Sequence, residues 1–574
     1  MIDSFVLEID SSFSSSNVES FSEGQNYVAR NKGMRLSVDY RKKFEGQEVC
    51  SVNEGTWVLF DGLLFNKQEV EDVHRPDRLA GLVAEELGDR LNEYRGNFRG
   101  FSFEENSGRI SLFTDHLGNR PLYYFVDHSL LCCSNSVFAI ARVLKERGKL
   151  KPSMTGSYSM LTYGYMVDDG TLFEGVKRLR PGVVLTFERN VSSENSKIRF
   201  FGSYEYHSFL NAPISVTERE AIENIDELFL QAVRRQSDMN RSYGLANFCA
   251  LSAGLDSRMT AFALERLGVN DALYFTYSQS FEKDCTVPMR ITHDRCWSWV
   301  YRNLDGGRDL LNIEQAIAAC EGVVYYPWMS QLGCFLDTVN TDDMGVVHTG
   351  VIGDVVVGTY CHNEYENRER YVIGDGAFSK RYLDRLECSL DLLGSMDFEE
   401  GMMRARAING AALGYSLCFS RVGEAASPFM DIDFFDYCMS IPVELRKHHN
   451  LYYKWTERCY PEAAKYPHNG IRITSKGPRI PYKGSRVPLF RVPSLARNVL
   501  EAKLSQTSMN PFEYWYKTQR QIGEMLDAYY YRHNSVLDFD SALKNDCDSL
   551  YKVGSVTEKT MCVTLVGSLA FVIQ

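Results

Sequence analysis

The 574-residue sequence lacks the patterns that mark several common classes of protein. It contains neither Gly-x-x-x-x-Gly-Lys-Ser/Thr nor Gly-x-Gly-x-x-Gly, so it does not support a P-loop nucleotidase or a dinucleotide-binding Rossmann domain. Its fifteen cysteines are scattered, and none forms a Cys-x-x-Cys pair or has zinc-site spacing. The formal net charge is −12 and no basic tract appears, which argues against broad nucleic-acid binding.

The sequence also has little that points to secretion or to a membrane. The start lacks a basic region followed by a long apolar run, so we expect no signal peptide. The apolar run 561–573 is short for a membrane span and contains Thr564 and Ser568, which favours a buried helix or strand. We therefore expect a cytoplasmic protein with reduced thiols and no membrane partner, long enough for two to four domains.

The most informative feature present is the small-residue stretch 251–258, Leu-Ser-Ala-Gly-Leu-Asp-Ser-Arg. It follows the apolar run 248–251, typical of a buried strand, and precedes apolar residues at helical spacing. A strand, a tight turn and a helix N-terminus form a phosphate cradle, because the first N–H groups of a helix lack intrahelical partners. Asp256 cannot hold a phosphate directly, but it suits the Mg²⁺ that accompanies one. The alternative is that this turn is only a helix N-cap.

Three motifs in chain order resemble the asparagine synthetase family. Ser-Ala-Gly-Leu-Asp-Ser at 252–257 is similar to the pyrophosphate loop of ATP pyrophosphatases, and 348–354 resembles the second loop of the family. The stretches 427–431 and 441–445 resemble the family's Pro-Phe-Leu-Asp and Pro-x-Glu-Leu segments. The resemblance implies two cofactors, ATP and Mg²⁺, with the metal held by Asp256 and Asp354. It implies that ATP and pyrophosphate bind Leu251, Ser252, Ala253, Gly254, Leu255, Asp256, Ser257, Phe275, Thr349 and Gly350. Taken alone, Asp354 would be interpreted as a turn aspartate.

The N-terminal third is typical of short aromatic strands separated by turns, for example 57–60, 109–113 and 122–125. The stretch 115–124, Asp-His-Leu-Gly-Asn-Arg-Pro-Leu-Tyr-Tyr, resembles the glutamine amidotransferase half of asparagine synthetases. The fold class implied is α/β. We expect a degenerate amidotransferase-like αββα sandwich over 1–205 and a parallel-sheet, ATP-pyrophosphatase-like domain over 216–574, with a boundary near 200–217.

Two departures from the family concern glutamine hydrolysis. The family uses a cysteine that follows the initiator methionine, and its free amine serves as the base. Here position 2 is Ile2, and the first cysteine is Cys50. Asp61 stands at the position of the family's oxyanion-hole asparagine, where a carboxylate would repel a developing oxyanion. We therefore predict no glutaminase activity; the alternative, that proteolysis exposes another nucleophile, has no cysteine near the start to support it.

Other departures concern the synthetase half. Val351 stands where the family carries a residue that handles the amine, and Val355 replaces an acidic residue. The family's catalytic lysine has no clean match in 461–470, so Lys465 and Lys476 are the candidates, although a lysine in such a position is more often a surface residue than a catalytic one.

The function implied is an ATP-dependent ligase that activates a carboxylate as an acyl-adenylate, releases pyrophosphate and forms an amide with ammonia or an amine. The carboxylate belongs to a small molecule or a peptide: a sugar acid, an amino acid or a peptide acid. A homodimer or a partner enzyme is also compatible with the resemblance. The alternative is a non-catalytic protein that binds a nucleotide or a partner, which Val351, Val355 and the unclear lysine favour.

Overall fold

The structure is a computed structural model, and it divides the chain into two compact units. It describes residues 2–10, 19–23, 26–31, 33–53, 55–70, 78–79, 81–189, 197–209, 211–361, 369–386, 396–468, 479–482, 485–488 and 510–574. The first unit comprises Met1–Ser157, Met166–Ser208 and Phe571–Gln574, and the second comprises Tyr158–Tyr165 and Phe209–Ala570. The change of unit after Ser208 lies inside the stretch 200–217, where the sequence predicts a boundary.

The N-terminal elements are mostly short strands, as the aromatic runs predict. The strands are β1 Ile2–Asp10, β2 Glu19–Glu23, β3 Asn26–Asn31, β4 Met34–Tyr40, β5 Val49–Asn53, β6 Thr56–Leu64, β7 Gly96–Glu104, β8 Arg109–Thr114, β9 Tyr123–Val126, β10 Leu130–Ser134, β11 Lys177–Arg178, β12 Val183–Arg189 and β13 Ile198–Glu205. The helices are α1 Lys67–Val70, α2 Ala84–Asn92, α3 Val137–Glu146 and α4 Met154–Tyr163.

Two antiparallel sheets form the centre of the first unit. One has the order β11-β9-β10-β1-β4-β3-β2, and the other has the order β13-β12-β8-β7-β6-β5. Their facing surfaces bury a core that includes Phe5, Trp57 and Phe101. Helix α2 packs on the outer face of the six-stranded sheet, where Leu87 and Leu91 are buried, and α3 packs on β9 and β10. The layers are therefore helix, sheet, sheet and helix, which confirms the predicted αββα sandwich.

The second unit combines a parallel sheet with many helices. Its strands are β14 Ala246–Ala250, β15 Leu273–Ser278, β16 Trp299–Asn303, β17 Met344–His348, β18 Glu424–Ala426, β19 Arg479–Tyr482 and β20 Ser485–Pro488. Its helices are α5 Glu218–Ser242, α6 Leu255–Arg266, α7 Lys283–Arg295, α8 Ile313–Cys320, α9 Tyr326–Leu336, α10 Gly353–Val357, α11 Phe398–Met402, α12 Leu413–Ser420, α13 Ile432–Ser440, α14 Val443–Arg446, α15 Asn450–Cys459, α16 Pro461–Ala464, α17 Phe512–Thr518, α18 Arg520–His533, α19 Ser541–Val553 and α20 Val556–Ile573. A π-helical segment, Met403–Ala412, joins α11 to α12.

The parallel sheet has the order β16-β15-β14-β17-β18. The chain runs from β14 outward to β16, returns to the other side of β14 as β17, and continues outward to β18. Long helix α5 packs against β14 and β17, and a capping box between Thr217 and Glu220 fixes its start. The fold is α/β with a parallel sheet in the second unit, as predicted, and the strand order reverses between β14 and β17.

The apolar C-terminal run forms helix α20, Val556–Ile573. Among the described residues this helix alone is long and apolar enough to cross a membrane, with a mean hydropathy of 1.5. However, 83% of it is buried inside the protein, and the core helix of a globular domain meets the same criteria. The helix therefore agrees with the expectation of a buried element at this position.

Candidate active site

A pocket of about 300 Å³ opens at the carboxyl ends of the parallel strands, where the order of β14 and β17 reverses. Ligands of open α/β sheets bind at this kind of position, because the loops that follow the two strands diverge. Four sets of residues line the pocket: the turn after β14 with the start of α6, the end of β15 with the start of α7, the turn after β17, and Ala411 with Tyr415 from the π-helical segment and α12. Predicted site residues in the lining are Leu251, Ser252, Gly254, Asp256, Ser257, Phe275, Thr349 and Gly350.

The turn after β14, residues 251–254, is held by hydrogen bonds within itself and to α7. The Ser252 N–H donates to Ser257 Oγ (3.0 Å), and the Gly254 N–H donates to Ser252 Oγ (3.1 Å). The Ala253 N–H donates to Asp284 Oδ1 (3.0 Å). Gly254 is the N-cap of α6 and has no side chain to satisfy the first N–H groups of the helix. The turn therefore directs a helix N-terminus at the pocket.

Asp256 and Asp354 are neighbours at this edge of the sheet. The Asp354 N–H donates to the Asp256 carboxylate, and Tyr452 donates its hydroxyl proton to Asp256 Oδ1 at 2.6 Å. Removal from bulk water raises the pKa of Asp256 well above its usual value, and the charge of Asp354 raises it further. Asp354 Oδ2 accepts a hydrogen bond from Thr359 Oγ1 at 2.6 Å. The structure thus brings together the two predicted metal ligands.

Two glycines of the second turn allow this approach. A Cβ on Gly350 would lie 2.3 Å from the Ser257 nitrogen, and one on Gly353 would lie 2.8 Å from Asp256 Cγ. Both separations are shorter than any side chain tolerates, so only glycine lets the turn after β17 pack on the first turn of α6. The glycines of the motif at 348–354 therefore allow the turn after β17 to pack closely against the start of α6.

The pair of carboxylates suits a hard divalent cation. In the described part of the chain no lysine or arginine contacts Asp256, and burial together with the charge of Asp354 raises its pKa. The described residues contain no group of three or more His, Cys, Asp or Glu side chains that could hold a metal alone. Mg²⁺ commonly binds one or two carboxylates together with phosphates and water, so Asp256 and Asp354 fit that ion when it arrives with a nucleotide.

The other predicted residues lie elsewhere. Ala253 and Leu255 are buried and are not among the residues that line the pocket. Lys465 is exposed and pairs with Glu462, so the geometry gives its catalytic role no support. Lys476 lies outside the described residues. Val351 lines the pocket, whereas Val355 is buried.

Three residues that the sequence analysis missed contact the site. Tyr452 binds Asp256, and Asp284 holds the Ala253 N–H. His468 contacts the Ala253 carbonyl; burial, together with the charges of Arg258 and Lys283, lowers its pKa to about 4 and keeps it neutral at pH 7. Asp284 lies in the first turn of α7 after a strand, a position that sequence reasoning could have found. Tyr452 and His468 are close to the loop only through the tertiary fold.

Asp61, at the predicted oxyanion position in the first unit, has cationic partners, whereas Asp256 has none among the described residues. Asp61 is fully buried (0% exposed) on β6, opposite Arg99 on β7. Arg99 donates from Nε (2.8 Å) and Nη2 (2.7 Å) to Asp61 Oδ2, and Arg120 pairs with Oδ1. Burial raises the pKa of Asp61, but Arg120 and Arg99 outweigh it and hold that pKa below the usual value. The expectation that Asp61 would present a repelling charge is therefore corrected: two arginines neutralise it.

Ile2 and the motif at 115–124 are structural in this unit. Ile2 is buried at the start of β1. The Asp115 carboxylate accepts backbone N–H bonds from Phe98, Leu117, Asn119 and Arg120, at 2.9–3.2 Å. Asp115 thereby fixes the turn that carries Arg120 to Asp61. The motif builds the ion-pair cluster of Asp61, Arg99 and Arg120, which is called the Asp61 cluster below.

Comparison with known proteins adds a match for the first unit. Residues 26–198 match the family model of the glutamine amidotransferase domain. No curated protein is significantly similar to the chain.

Among solved structures, glutamine phosphoribosylpyrophosphate (PRPP) amidotransferase from B. subtilis, complexed with ADP and GMP, is 12% identical. The alignment covers 49% of this chain and 61% of that enzyme, at a TM-score of 0.21. The structure of the allosteric regulatory enzyme of purine biosynthesis is 10% identical to this chain. The alignment covers 52% of this chain and 74% of that enzyme, at a TM-score of 0.22.

The glutamine-dependent NAD⁺ synthetase of Acinetobacter baumannii, in complex with ADP, is 13% identical over 56% of this chain and 73% of its own. Its TM-score is 0.18, and scores this low carry no argument about function. The N-terminal part of the chain is therefore similar to the glutamine amidotransferase domain, and the parallel-sheet unit with its pocket lies largely beyond that match.

Proposed function

We propose that this protein is an ATP-dependent ligase that forms an amide bond from a carboxylate and ammonia or an amine. One observation carries the proposal: Asp256 lines a pocket that receives the N-terminus of α6, Asp354 lies beside Asp256, and no described arginine or lysine compensates Asp256. A helix N-terminus attracts phosphate, and paired carboxylates attract the cation that accompanies phosphate. The combination matches Mg·ATP and explains both features together.

The chemistry proposed has two steps. A carboxylate oxygen of the acceptor attacks the α-phosphorus of ATP, the bond between the α-phosphorus and its bridging oxygen breaks, and pyrophosphate leaves with the bonding electrons. An amine nitrogen then attacks the acyl carbon, AMP leaves, and the nitrogen loses a proton as the amide forms. Mg²⁺, held by Asp256 and Asp354, would supply charge neutralisation on the phosphates. The turn 251–254 would orient the polyphosphate, and Thr349 and Gly350 line the same pocket.

The nitrogen is proposed to come from free ammonia or an amine rather than from glutamine. Ile2 provides no nucleophile, and the Asp61 cluster occupies the position where the family stabilises an oxyanion. The acceptor is a small-molecule or peptide carboxylate. The amidotransferase-like unit is then a retained structural domain of the ligase.

A second candidate is a nucleotide-binding protein without ligase activity. It is favoured by Val351, which lines the pocket where the family handles the amine and which cannot accept a proton. It is also favoured by Lys465, which pairs with Glu462 at the surface rather than lining the pocket.

ATP–pyrophosphate exchange separates the two candidates. The protein is incubated with Mg²⁺, ATP, labelled pyrophosphate and pools of sugar acids, amino acids or peptide acids. We expect carboxylate-dependent label in ATP, and AMP plus an amide once ammonium is added. Asp256→Asn serves as the matched inactive variant. Nucleotide binding with no exchange for any pool would reject the ligase and favour the second candidate.

A further inference from the structure

Arg258 occupies an unusual position in the first turn of α6, directly after the loop motif. The residue is 0% exposed, although it carries a guanidinium group. A guanidinium group keeps its charge at pH 7 even when it is buried. A cation in the first turn of a helix also opposes the helix dipole, whose positive end lies there. Burial and the dipole both disfavour this placement, so some other contact has to offset them.

The guanidinium group of Arg258 is held by four backbone carbonyls. Nη2 donates to the Ala253 carbonyl at 2.9 Å and to the Pro467 carbonyl at 3.0 Å. Nη1 donates to the carbonyls of Ala463 (3.2 Å) and Tyr466 (3.0 Å). Two of these acceptors, Ala463 and Tyr466, lie at or just beyond the C-terminus of α16. One side chain thus joins the loop to the stretch 463–467.

The charge of Arg258 is not balanced within the described part of the chain. All four of its acceptors are neutral carbonyls, and its Nε has no acceptor among the described residues. The backbone of Ala253 is fixed on both of its sides, because its N–H donates to Asp284 and its carbonyl accepts from Arg258. An anion at the neighbouring helix N-terminus would supply the missing negative charge through a short, water-poor path.

We infer that Arg258 is a positioning residue for anion binding: it locks the loop 252–257 to the stretch 463–467 and adds a buried positive charge behind the phosphate position. This inference rests on the proposed function only in taking the anion to be the polyphosphate of Mg·ATP. Arg258 does not line the pocket, so it acts through the Ala253 backbone carbonyl and through its electric field.

The experiment compares three variants of the full chain. Arg258→Met keeps most of the side-chain volume and removes the charge. Arg258→Lys keeps the charge but replaces a planar group of five N–H donors with a point charge that cannot span four carbonyls. Arg266→Met is the matched control, because Arg266 lies on the same helix two turns away and pairs with Asp226 at 2.9 and 3.0 Å.

Two readouts are measured: amide hydrogen exchange of 252–257 and 463–467, and the Kd for inorganic pyrophosphate in the presence of Mg²⁺. We expect Arg258→Met to speed exchange in both segments and to raise the Kd about tenfold or more. Arg258→Lys should keep part of the affinity while still speeding exchange, because it restores only the charge. Arg266→Met should leave the Kd and the exchange of 252–257 unchanged.

Pyrophosphate separates this inference from the proposed function. If the wild type binds pyrophosphate but shows no carboxylate-dependent exchange, the ligase fails and Arg258 is still judged by the variants. Equal Kd values for wild type and Arg258→Met, or unchanged hydrogen exchange in both segments, would overturn the inference, as would a wild type that binds no pyrophosphate. Should Arg258→Met fail to fold, Arg258→Lys decides: unchanged exchange at 463–467 would overturn the inference.

Discussion

Asp61 in the first unit and Asp256 in the second are both carboxylates that the protein removes from bulk water, and they differ in what compensates them. Arg99 and Arg120 contact Asp61, and they hold its pKa below the usual value. Asp256 has a tyrosine hydroxyl, a backbone N–H and a second carboxylate nearby, and its pKa is raised. Removing one partner of a compensated buried charge destabilises a fold, whereas an uncompensated buried carboxylate is a candidate site for a cation.

The largest effect is expected when the charge of Asp61 is removed from the Asp61 cluster. Asp61→Asn leaves two buried guanidinium groups without a counter-charge, so we expect a loss of about 3–5 kcal/mol in the free energy of unfolding. The measurement is denaturant unfolding followed by a probe in the first unit. Replacing all three members by apolar residues, as Asp61→Leu, Arg99→Met and Arg120→Met together, should recover most of that loss. A stable Asp61→Asn protein would show that the cluster does not support the fold.

Substitution of Asp256, the carboxylate without a counter-charge, should lower activity rather than stability. Asp256→Asn removes the charge proposed to hold Mg²⁺, so pyrophosphate exchange should fall about a hundredfold or more. Asp354→Asn should act in the same direction, and the double variant should lose less than the sum, because both groups hold one metal. The melting temperature should change little or rise, since an uncompensated carboxylate is removed.

The local elements at these two sites could be predicted from the sequence, but the tertiary partners of Asp61 and Asp256 could not. Strand 248–251, the turn and the following helix were predictable, because apolar periodicity and small residues are local patterns. The arginines around Asp61 were not, because Arg99 is its partner only through the register of β6 with β7. The bond from Tyr452 to Asp256 joins residues 196 positions apart, and no local pattern reports such a contact.

Lys465 is a residue that the sequence predicts to be in the site and that the structure places outside it. Lys465 was a candidate because it stands in the stretch that resembles the family's lysine segment. In the structure its neighbours Ala463, Tyr466 and Pro467 turn their carbonyls to Arg258, while Lys465 itself pairs with Glu462 at the surface. Spacing alone cannot show which side of a short helix faces the loop.

A smaller effect is expected at His348, the last residue of β17. His348 is buried, with ring nitrogens 3.2 Å from Gln236 Oε1 and 3.0 Å from Asn247 Oδ1, and burial lowers its pKa to about 4. The neutral form therefore stabilises the second unit above pH 6.5, and this stability is lost as the pH falls through about 4. The loss should reach about 3 kcal/mol at most.

The comparison is made with His348→Gln, which keeps a polar group but does not titrate. Unfolding free energies of the second unit are measured between pH 7 and pH 4 for both proteins. The wild type should lose more stability than the variant over this range. Parallel curves for the two proteins would contradict the prediction.

The smallest expected effect is none at all. The wild type should release no glutamate from glutamine, and Ile2→Cys should not create that activity, because the Asp61 cluster still occupies the oxyanion position. Amide formation from free ammonium should be equal in the two proteins. Glutamate release by the wild type, measured with a coupled dehydrogenase, would contradict the prediction that the first unit cannot hydrolyse glutamine.

The most direct measurement of the central claim is the shift in melting temperature produced by Mg·ATP in three proteins: wild type, Asp256→Asn and Asp61→Asn. At one hundred times its Kd a ligand adds about 2.7 kcal/mol to the folded state. The account predicts a rise in the transition of the second unit for wild type and for Asp61→Asn, which leaves the pocket intact, and no rise for Asp256→Asn. An equal rise in Asp256→Asn and wild type, or no rise in wild type, would contradict it.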